Sequence, residues 1–430
     1  MIAKTALKNI RYRPLNTALS LVLLTASVAI ISLLLLLQNQ FEKKFSDNID
    51  GIDLVLGAKG SPLQLILSSV YQMDAPTGNI PLDSAQVWMK NPFVQSAIPL
   101  SFGDNYRGFK IVGTTPEYSQ KYGATLLSGT MFQKDFEVVV GNAIAEKLGL
   151  KVGQKFLGSH GDVEGGEVHE DHPYVITGIL KPTGKVIDNL ILSNLSSVWA
   201  VHGSHDHSEE VTDDHVHSEA CNHEHEHSDA HDHNHSDQSS ETAHAQPETR
   251  EITAVLLKMR NKMALVTWPR LIAANTNMQV ASPAVEVNRL FTLFGVGIQA
   301  LQYLAYGIML ISGISIFIAL YNTLKERKYE FALMRISGAG RFHLLKLIVF
   351  ESLFLCVIGF VFGIISGRIA LYVISGIASD EYKMTFSPLE VLWEEEGLLF
   401  LLTIFTGFIA ALVPAIKAYS LNISKTLANA

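Results

Sequence analysis

Four apolar runs divide the chain into membrane-spanning and polar segments. They cover residues 17–37, 290–324, 347–375 and 397–416, and each reaches the roughly 20 apolar residues that a helix needs to cross a bilayer. The first run is too long for the apolar core of a secretory signal and no small-residue cleavage site follows it, so we expect a retained anchor. The pattern predicts an α-helical membrane protein with four transmembrane helices.

The second apolar run is longer than a bilayer requires. Residues 290–324 carry no charge, and a helix of that length would measure about 52 Å at 1.5 Å per residue, against a hydrocarbon core of about 30 Å. Two interpretations are open: a tilted helix with an apolar flank, or a helix that leaves the membrane as a stalk. Tilt absorbs only a few ångströms, which favours the stalk.

Basic residues flank the spans unevenly and predict the orientation. Residues 1–16 and the loop 325–346 are rich in lysine and arginine, whereas the loop 376–396 has one lysine among six acidic residues. Cytoplasmic loops are enriched in lysine and arginine, so both termini, including the tail 417–430, are predicted to be cytoplasmic. Residues 38–289 are then extracytoplasmic, which fits a multi-pass protein of a bacterial inner membrane.

Between the first two spans the pattern changes to short alternating and buried strands, with helical stretches between them. The first part, residues 62–90, favours helices, and a helix is also predicted after the last strand. The predicted strands lie within residues 97–116, 137–150, 174–180, 189–195 and 252–259. The fold class is therefore membrane α-helical, with a large α+β extracytoplasmic domain inserted between transmembrane helices 1 and 2.

Composition narrows the function. The chain is 48% hydrophobic with a net charge of −8, and no basic stripe suggests nucleic-acid binding. Only two cysteines are present, which excludes a disulfide scaffold. The sequence GAKGS at residues 57–61 lacks the spacing of a phosphate-binding loop. We therefore expect no nucleotide-hydrolysing site of this kind within the chain.

The loop after the second span carries a recognisable motif, KERKYEFALMRISGAG at residues 325–340. Together with Glu351 in the next span, it resembles the signature of FtsX-like ABC permeases, which include macrolide-exporter and lipoprotein-releasing permeases. Residues 109–132 and 137–156 resemble the MacB-like periplasmic core domain of that family. The resemblance covers most of the chain.

The resemblance implies a type VII ABC permease without a fused ATPase domain, which is a transporter subunit and not itself an enzyme. Such permeases pair with a second permease chain, either identical or related, and with two copies of a cytosolic ABC ATPase that supplies ATP hydrolysis. They work by mechanotransmission and can engage a periplasmic protein. The cargo stays open between a zinc-linked function, export of lipoproteins, peptides or drugs, and regulation of a cell-envelope hydrolase.

The predicted contact with the ATPase lies in the loop 325–346. The candidate coupling residues are Glu326, Arg327, Glu330, Arg335 and Gly338. Gly338 is expected to end a short helix, and the apolar anchors offered to the partner are predicted to be Phe331, Leu333, Met334 and Ile336. By itself the loop also fits a solvated basic segment, and Arg335 also fits a structural tie to Glu326 or Glu330.

Two ionisable residues fall within or near the third span. Glu351 lies close to its cytoplasmic edge and is expected to form an interfacial pair with a basic residue, while Arg368 is expected to extend outward to the headgroups. Neither is predicted to relay protons.

Residues 202–248 differ from the rest of the chain. They hold 12 of the 16 histidines and neither lysine nor arginine, a composition too polar for a packed core and suited to zinc. A match to HExxH within HEHEH lacks the helix that a zinc protease needs. The segment is predicted to be a disordered inserted loop, and a solvated linker is the alternative. The predicted metal ligands are His205, His207, His215, His217, Cys221, His223, His225, His227, His231, His233 and His235.

Overall fold

The computed structural model describes residues 14–160, 172–202, 250–381 and 384–420. These form two compact units. The membrane unit comprises the residues up to Asp50 and those from Ala284 onward, and the core domain comprises Gly51–Pro283.

The secondary structure alternates between long helices in the membrane unit and short elements in the core domain. In chain order the helices are α1 (Pro14–Ile49), α2 (Pro62–Ser69), α3 (Leu82–Met89), α4 (Glu117–Lys121), α5 (Asn142–Leu148), α6 (Leu195–His202), α7 (Met263–Asn275), α8 (Pro283–Glu326), α9 (Lys328–Ile336), α10 (Arg341–Glu381) and α11 (Trp393–Tyr419). The strands are β1 (Leu54–Ala58), β2 (Ile80–Pro81), β3 (Val94–Tyr106), β4 (Phe109–Thr114), β5 (Leu126–Gly129), β6 (Glu137–Val140), β7 (Lys155–Phe156), β8 (Ser159–His160), β9 (Tyr174–Leu180), β10 (Ile191–Asn194), β11 (Glu251–Ile252), β12 (Ala254–Met259) and β13 (Met278–Ala281).

Helices α1, α8, α10 and α11 are each long and apolar enough to cross a membrane. The mixed α/β core domain is inserted between the first and second of them. The predicted fold class is therefore confirmed. The four helices extend past the apolar runs because helix formation continues into amphipathic sequence at their ends.

Helix α1 shows this extension clearly, since it continues beyond Leu37 to Ile49. Phe41 and Phe45 lie one turn apart there, with ring centroids 4.3 Å from each other. Phe291 of α8 packs against both rings at 6.1 and 6.0 Å, and Phe294 lies 6.1 Å from Phe41. This aromatic group gives the polar end of α1 an apolar face, which the apolar run alone does not reveal.

Helix α8 is unbroken over 44 residues, a length of about 66 Å at 1.5 Å per residue. A hydrocarbon core of about 30 Å would enclose all of it only at a tilt beyond the usual range of about 0–40°. Of the two interpretations of the second span, the length supports a helix that leaves the membrane.

A stripe of glycines brings α10 close to α1. A Cβ atom added at Gly359 would lie 2.6 Å from a methyl group of Leu24, and one added at Gly363 would lie 2.6 Å from Val28. At Gly367 the Cβ would lie 2.9 Å from the carbonyl oxygen of Ala29. Small residues four apart allow such close backbone approach inside membranes, where packing drives helix association. The α1–α10 pair is therefore specified by its glycines.

Helix α11 packs on another side of α10. The Ser352 hydroxyl donates a hydrogen bond of 2.7 Å to the carbonyl oxygen of Gly407, and the buried Cys356 packs against the same glycine. Among the described residues, Cys356 is a free cysteine.

The core domain is built on one sheet of 11 strands, counted over the described residues. Its main path runs β13-β1-β12-β3-β4-β10-β6-β9-β5, with β7 on β9 and β8 on β3. The β4–β10 and β6–β9 pairs are parallel, and the other pairs in the sheet are antiparallel. A separate pair joins β2 and β11.

Two hydrophobic cores cover this sheet. The first surrounds Trp268 and Ile272 of α7, and the Trp268 ring meets Trp88 of α3 edge-on at 5.3 Å. The second surrounds Val138, Val140 and Ile144. Strand β3 pairs with β12 along its first half and with β4 along its second, so it connects the two halves of the sheet.

The element that directly precedes the histidine-rich segment is a helix and not the strand that the sequence predicts. The sequence places that segment between two strands, but helix α6 lies between β10 and residue 203. Val198 and Val201 of α6 are buried, which explains its formation through packing on the sheet. Helix α6 is short, so the periodicity of its apolar residues is hard to recognise in the sequence.

Candidate functional site

The candidate coupling segment forms a short helix, α9, between α8 and α10. Its C-terminal end is closed by two hydrogen bonds: the Gly338 N–H donates to the Arg335 carbonyl at 3.2 Å and the Ala339 N–H donates to the Met334 carbonyl at 3.0 Å. Gly338 has a φ of +97°, which an L side chain rarely adopts. This is a Schellman motif, so Gly338 stops the helix as the sequence predicts.

An ion pair closes the other end of α9. The Arg327 Nη2 atom lies 2.6 Å from Glu330 Oε2, and Arg327 Nε donates a second hydrogen bond of 2.7 Å to the same oxygen. The guanidinium also lies over the Phe331 ring at 5.8 Å. Because Glu330 is exposed and three residues from Arg327, the pair stabilises the helix by only a few tenths of a kcal/mol.

Two side chains fasten α9 to the membrane unit. Phe331 and Ala332 are buried, and Phe331 belongs to a core cluster with Leu324 of α8 and Leu344 and Leu347 of α10. The sequence interpretation of Phe331 as a partner anchor is therefore wrong, because its ring is enclosed within the chain. Met334 is also partly buried against this cluster.

The outer face of α9 carries apolar side chains. Tyr329, Leu333 and Ile336 are each more than half exposed, and their i, i+4 and i+7 spacing places them on one side of the helix. Leu333 and Ile336 lie where the sequence predicts anchors. Tyr329 is an additional member that sequence reasoning missed, although its spacing from Leu333 is the signal that could have found it. We call these three residues the α9 face.

The remaining candidate coupling residues flank this face. Glu326 is the last residue of α8, and Arg335 lies in the last turn of α9. The structure therefore places all five candidates between the last residue of α8 and the C-terminal end of α9, and Arg327 and Glu330 pair directly. Their role towards an ATPase stays a prediction.

A second polar cluster lies where the chain turns from α10 into α11. Arg368 Nη1 donates to the carbonyl oxygens of Pro388 and Glu390 at 2.8 and 3.0 Å. Its Nη2 donates to Glu396 Oε1 at 2.6 Å. Arg368 thus gives these donors to the protein itself, and its expected extension towards the headgroups stays a prediction.

Further hydrogen bonds hold the same loop along its length. The Gln40 side-chain amide donates to the Ser387 carbonyl and accepts from the Ser387 N–H, both at 2.7 Å. Ser375 of α10 makes a similar pair with the backbone of Phe386, at 3.0 and 2.7 Å. The residues 384–392 are thus fixed to α1, α10 and α11.

Glu351, the other ionisable residue of the third span, is buried.

The predicted metal ligands lie within residues 205–235, outside the described part of the chain. The described residues contain no group of three or more histidine, cysteine, aspartate or glutamate side chains placed to hold a metal ion. The two ends of the intervening segment are nevertheless located. The Trp199 indole N–H donates to the Glu251 carbonyl at 2.6 Å, and the Arg250 guanidinium lies 5.3 Å over the Trp199 ring.

This contact has a direct topological meaning. Trp199 precedes residues 203–249 and Arg250 follows them, so the chain leaves and re-enters the core domain at one place. The described residues on the two sides of the histidine-rich segment are therefore adjacent in the core domain.

Family models decide the identity. Residues 303–423, which include α9 and the polar cluster at Arg368, match the FtsX-like permease C-terminal family. Residues 17–215 match the MacB-like periplasmic core domain. Over these two stretches the chain is similar to FtsX-like permeases with a MacB-like periplasmic core domain. The predicted family is thus confirmed, and this FtsX-like permease is a transporter subunit of the ABC class and a multi-pass membrane protein.

Solved structures that match part of this chain include the periplasmic region of MacB from Actinobacillus actinomycetemcomitans. The match has 11% identity and a TM-score of 0.32, and it covers 57% of this chain and 97% of that one. Another is the extracellular domain of the noncanonic ABC-type transporter YknZ from Gram-positive bacteria, at 11% identity and a TM-score of 0.30, covering 53% of this chain and 99% of that one. No curated protein matches the sequence. The assignment to the family rests on the two family models.

Proposed function

We propose that this FtsX-like permease transmits ATP-driven motion from a separate cytosolic ABC ATPase to its core domain. Two permease chains, identical or related, would assemble with two ATPase copies in a bacterial inner membrane, with both termini on the ATPase side. The observation that supports this most is α9, a capped helix that is anchored inward and apolar outward.

The inward anchoring of α9 suits it to transmit force. Phe331 contacts the core formed by the ends of α8 and α10, so a displacement of α9 would be passed to both membrane helices. Truncating a buried phenylalanine to alanine costs about 3–5 kcal/mol, which indicates how firmly such an anchor is held.

The outward α9 face suits it to enter a cleft in a partner. Burying a leucine or isoleucine side chain contributes about 1.5–3 kcal/mol, so Leu333 and Ile336 together could supply much of a docking energy. The charged neighbours Glu326, Lys328 and Glu330 would surround them as a polar rim.

The test is copurification of the ATPase with the tagged full-length permease from native membranes. Leu333→Ala combined with Ile336→Ala should reduce the recovered ATPase by at least about tenfold, since 1.4 kcal/mol corresponds to a factor of ten in affinity. Leu127→Ala is the matched control, because Leu127 of the core domain is 58% exposed and Leu333 is 52% exposed. Equal recovery of ATPase with both variants would contradict the assignment.

A second candidate function is zinc-linked transport or homeostasis, in which the histidine-rich loop binds the ion. It is supported by the 12 histidines of residues 202–248 and by the adjacency of Trp199 and Arg250, which tethers the loop to one point of the core domain. Imidazole and thiol groups suit zinc. Export of lipoproteins, peptides or drugs, or control of an envelope hydrolase, are the alternatives, and the periplasmic protein that copurifies would distinguish them.

A further inference from the structure

The loop between α10 and α11 exposes large apolar side chains although it is held rigidly. Leu389 is 84% exposed and Trp393 is 83% exposed, and Val391 between them is also exposed. Exposed apolar side chains that lie close together mark an interaction or membrane site, whereas single ones are common on protein surfaces.

The depth of this loop follows from Arg368. Its guanidinium binds Glu396 in the first turn of α11 and, at the same time, the carbonyl oxygens of Pro388 and Glu390. Helix α10 continues past Arg368 to Glu381, about 20 Å further at 1.5 Å per residue. The chain therefore returns along α10, through the Ser375–Phe386 contact, down to the level where α11 begins.

That level coincides with the boundary of a bilayer. Helix α11 has 27 residues, about 40 Å at 1.5 Å per residue, which exceeds a hydrocarbon core of about 30 Å by roughly 5 Å at each end. Trp393 and Tyr419 stand at its two ends. Tryptophan and tyrosine are enriched at the two membrane–water interfaces, so Trp393 lies at headgroup depth.

The exposed loop residues lead directly into a helix with an exposed apolar face. Below Trp393, the side chains of Leu401, Phe405, Phe408 and Leu412 are exposed at spacings of three and four residues, which places them on one face of α11. An apolar face of a membrane helix that no other helix covers lies against lipid. Trp393 is the first residue of α11, and the exposed Val391 and Leu389 precede it along the chain, while Glu394 and Glu395 are the polar neighbours expected at a headgroup layer.

We propose that Leu389, Val391 and Trp393 insert into the lipid leaflet on the core-domain side and anchor the α10–α11 loop at the boundary between headgroups and acyl chains. The occupant of this surface is the bilayer itself. Arg368, Gln40 and Ser375 hold the loop in place, so the anchoring would fix the outer ends of α1, α10 and α11 relative to the membrane surface.

The test uses the full-length permease in lipid nanodiscs with a fluorophore on one introduced cysteine, in a Cys221→Ser background. Val391→Cys is compared with Thr385→Cys, an exposed position in the same loop that precedes the descent to Arg368. Leu401→Cys on α11 is the lipid-exposed reference. Lipids brominated near the top of the acyl chain should quench the label at position 391 at least about twofold more than at position 385, and nearly as much as at position 401.

Two results would overturn the proposal. One is equal, weak quenching by brominated lipid at positions 391 and 385 together with strong quenching of both by iodide in the buffer, which would place the loop in water. The other is a disulfide-linked dimer formed through Leu389→Cys with no quenching by brominated lipid, which would make this face an interface between copies of the chain.

Discussion

Arg368 Nη2 and Glu396 Oε1 lie 2.6 Å apart, and both side chains are largely buried. This ion pair ties the middle of α10 to the first turn of α11. Glu396 is also favourable there because a negative charge stabilises a helix N-terminus.

The first prediction concerns this pair. Arg368→Ala should destabilise the membrane unit by about 2–4 kcal/mol, because it leaves a carboxylate and two carbonyl oxygens without donors. Arg368→Lys should recover only part of the loss, since a single ammonium cannot reproduce the two-sided geometry of the guanidinium. Thermal unfolding of the detergent-solubilised chain measures both, and equal stability of Arg368→Ala and the wild type would contradict the assigned role.

The second prediction concerns the glycine stripe. Gly363→Val should separate α1 from α10, because even a Cβ atom at this position would lie 2.6 Å from Val28. The expected result is a lower midpoint of thermal unfolding and lower yield from membranes. Gly376→Ala, in the same helix, is the control: its added Cβ meets nothing within 4 Å. Since alanine favours helices by up to about 1 kcal/mol over glycine, this variant should be as stable as the wild type or more so.

The third prediction separates the charge pattern of α9 from its stability. The double exchange Arg327→Glu with Glu330→Arg keeps an ion pair but reverses each charge. Membrane insertion and thermal stability should be nearly unchanged, because the pair contributes only a few tenths of a kcal/mol, whereas ATPase copurification should fall. Full recovery of the ATPase would show that these two charges do not contact the partner.

The fourth prediction concerns zinc. Removing residues 203–249 and joining the ends with a short glycine linker should leave the core domain folded, because Trp199 already contacts Arg250 and Glu251. The wild-type chain should bind more than one zinc ion near pH 7 and release it below about pH 5.5, as histidines of ordinary pKa near 6.5 become protonated. Calorimetry on both full-length variants checks this. Equal zinc binding with and without the loop, or none in either, would make the loop a linker.

The fifth prediction concerns buried tyrosines of the core domain. Burial raises the pKa of Tyr118 and Tyr122, and the pKa of Tyr174 is raised by burial and by the neighbouring Asp104. A pKa raised in the folded state gives stability that is full below the unfolded value of 10.0 and declines as pH rises through and beyond it. The free energy of unfolding should therefore fall above about pH 10.

The same tyrosines provide a matched pair of variants. The Tyr118 hydroxyl lies near the Tyr122 hydroxyl and the Gln72 side chain but makes no well-formed hydrogen bond, whereas the Tyr174 hydroxyl donates to Asp104 Oδ2 at 3.4 Å. Tyr118→Phe should be neutral or stabilising, and Tyr174→Phe should cost about 1–2 kcal/mol because Asp104 loses a donor. Equal losses in both variants would contradict the difference in bonding.

Local patterns predicted much of the fold. The strand 174–180 coincides with β9 (Tyr174–Leu180), because its buried alternation depends only on neighbouring residues. The C-terminal glycine of α9 was equally readable, since a left-handed residue is needed where a helix must end and turn. Long-range contacts could not be predicted: Arg368 meets partners 20 to 28 residues away, and Phe331 is enclosed by residues of other helices. Within the segment 325–346, spacing groups Tyr329, Leu333 and Ile336 on one side of a helix, but spacing alone does not say which side of that helix packs on the rest of the chain.

The aromatic group between α1 and α8 differs in kind from the contacts that fix α10. Phe41 and Phe45 meet Phe291 and Phe294 through ring contacts, which have no directional bonds to break. If α8 slid outward by one turn, about 5.4 Å, Phe294 would take the place of Phe291 against Phe45, and ring would again face ring. The two helices thus meet at a contact surface that would be restored after a shift of one helical turn. Cross-linking of Phe45→Cys with either Phe291→Cys or Phe294→Cys, with and without nucleotide, would reveal whether the step is taken.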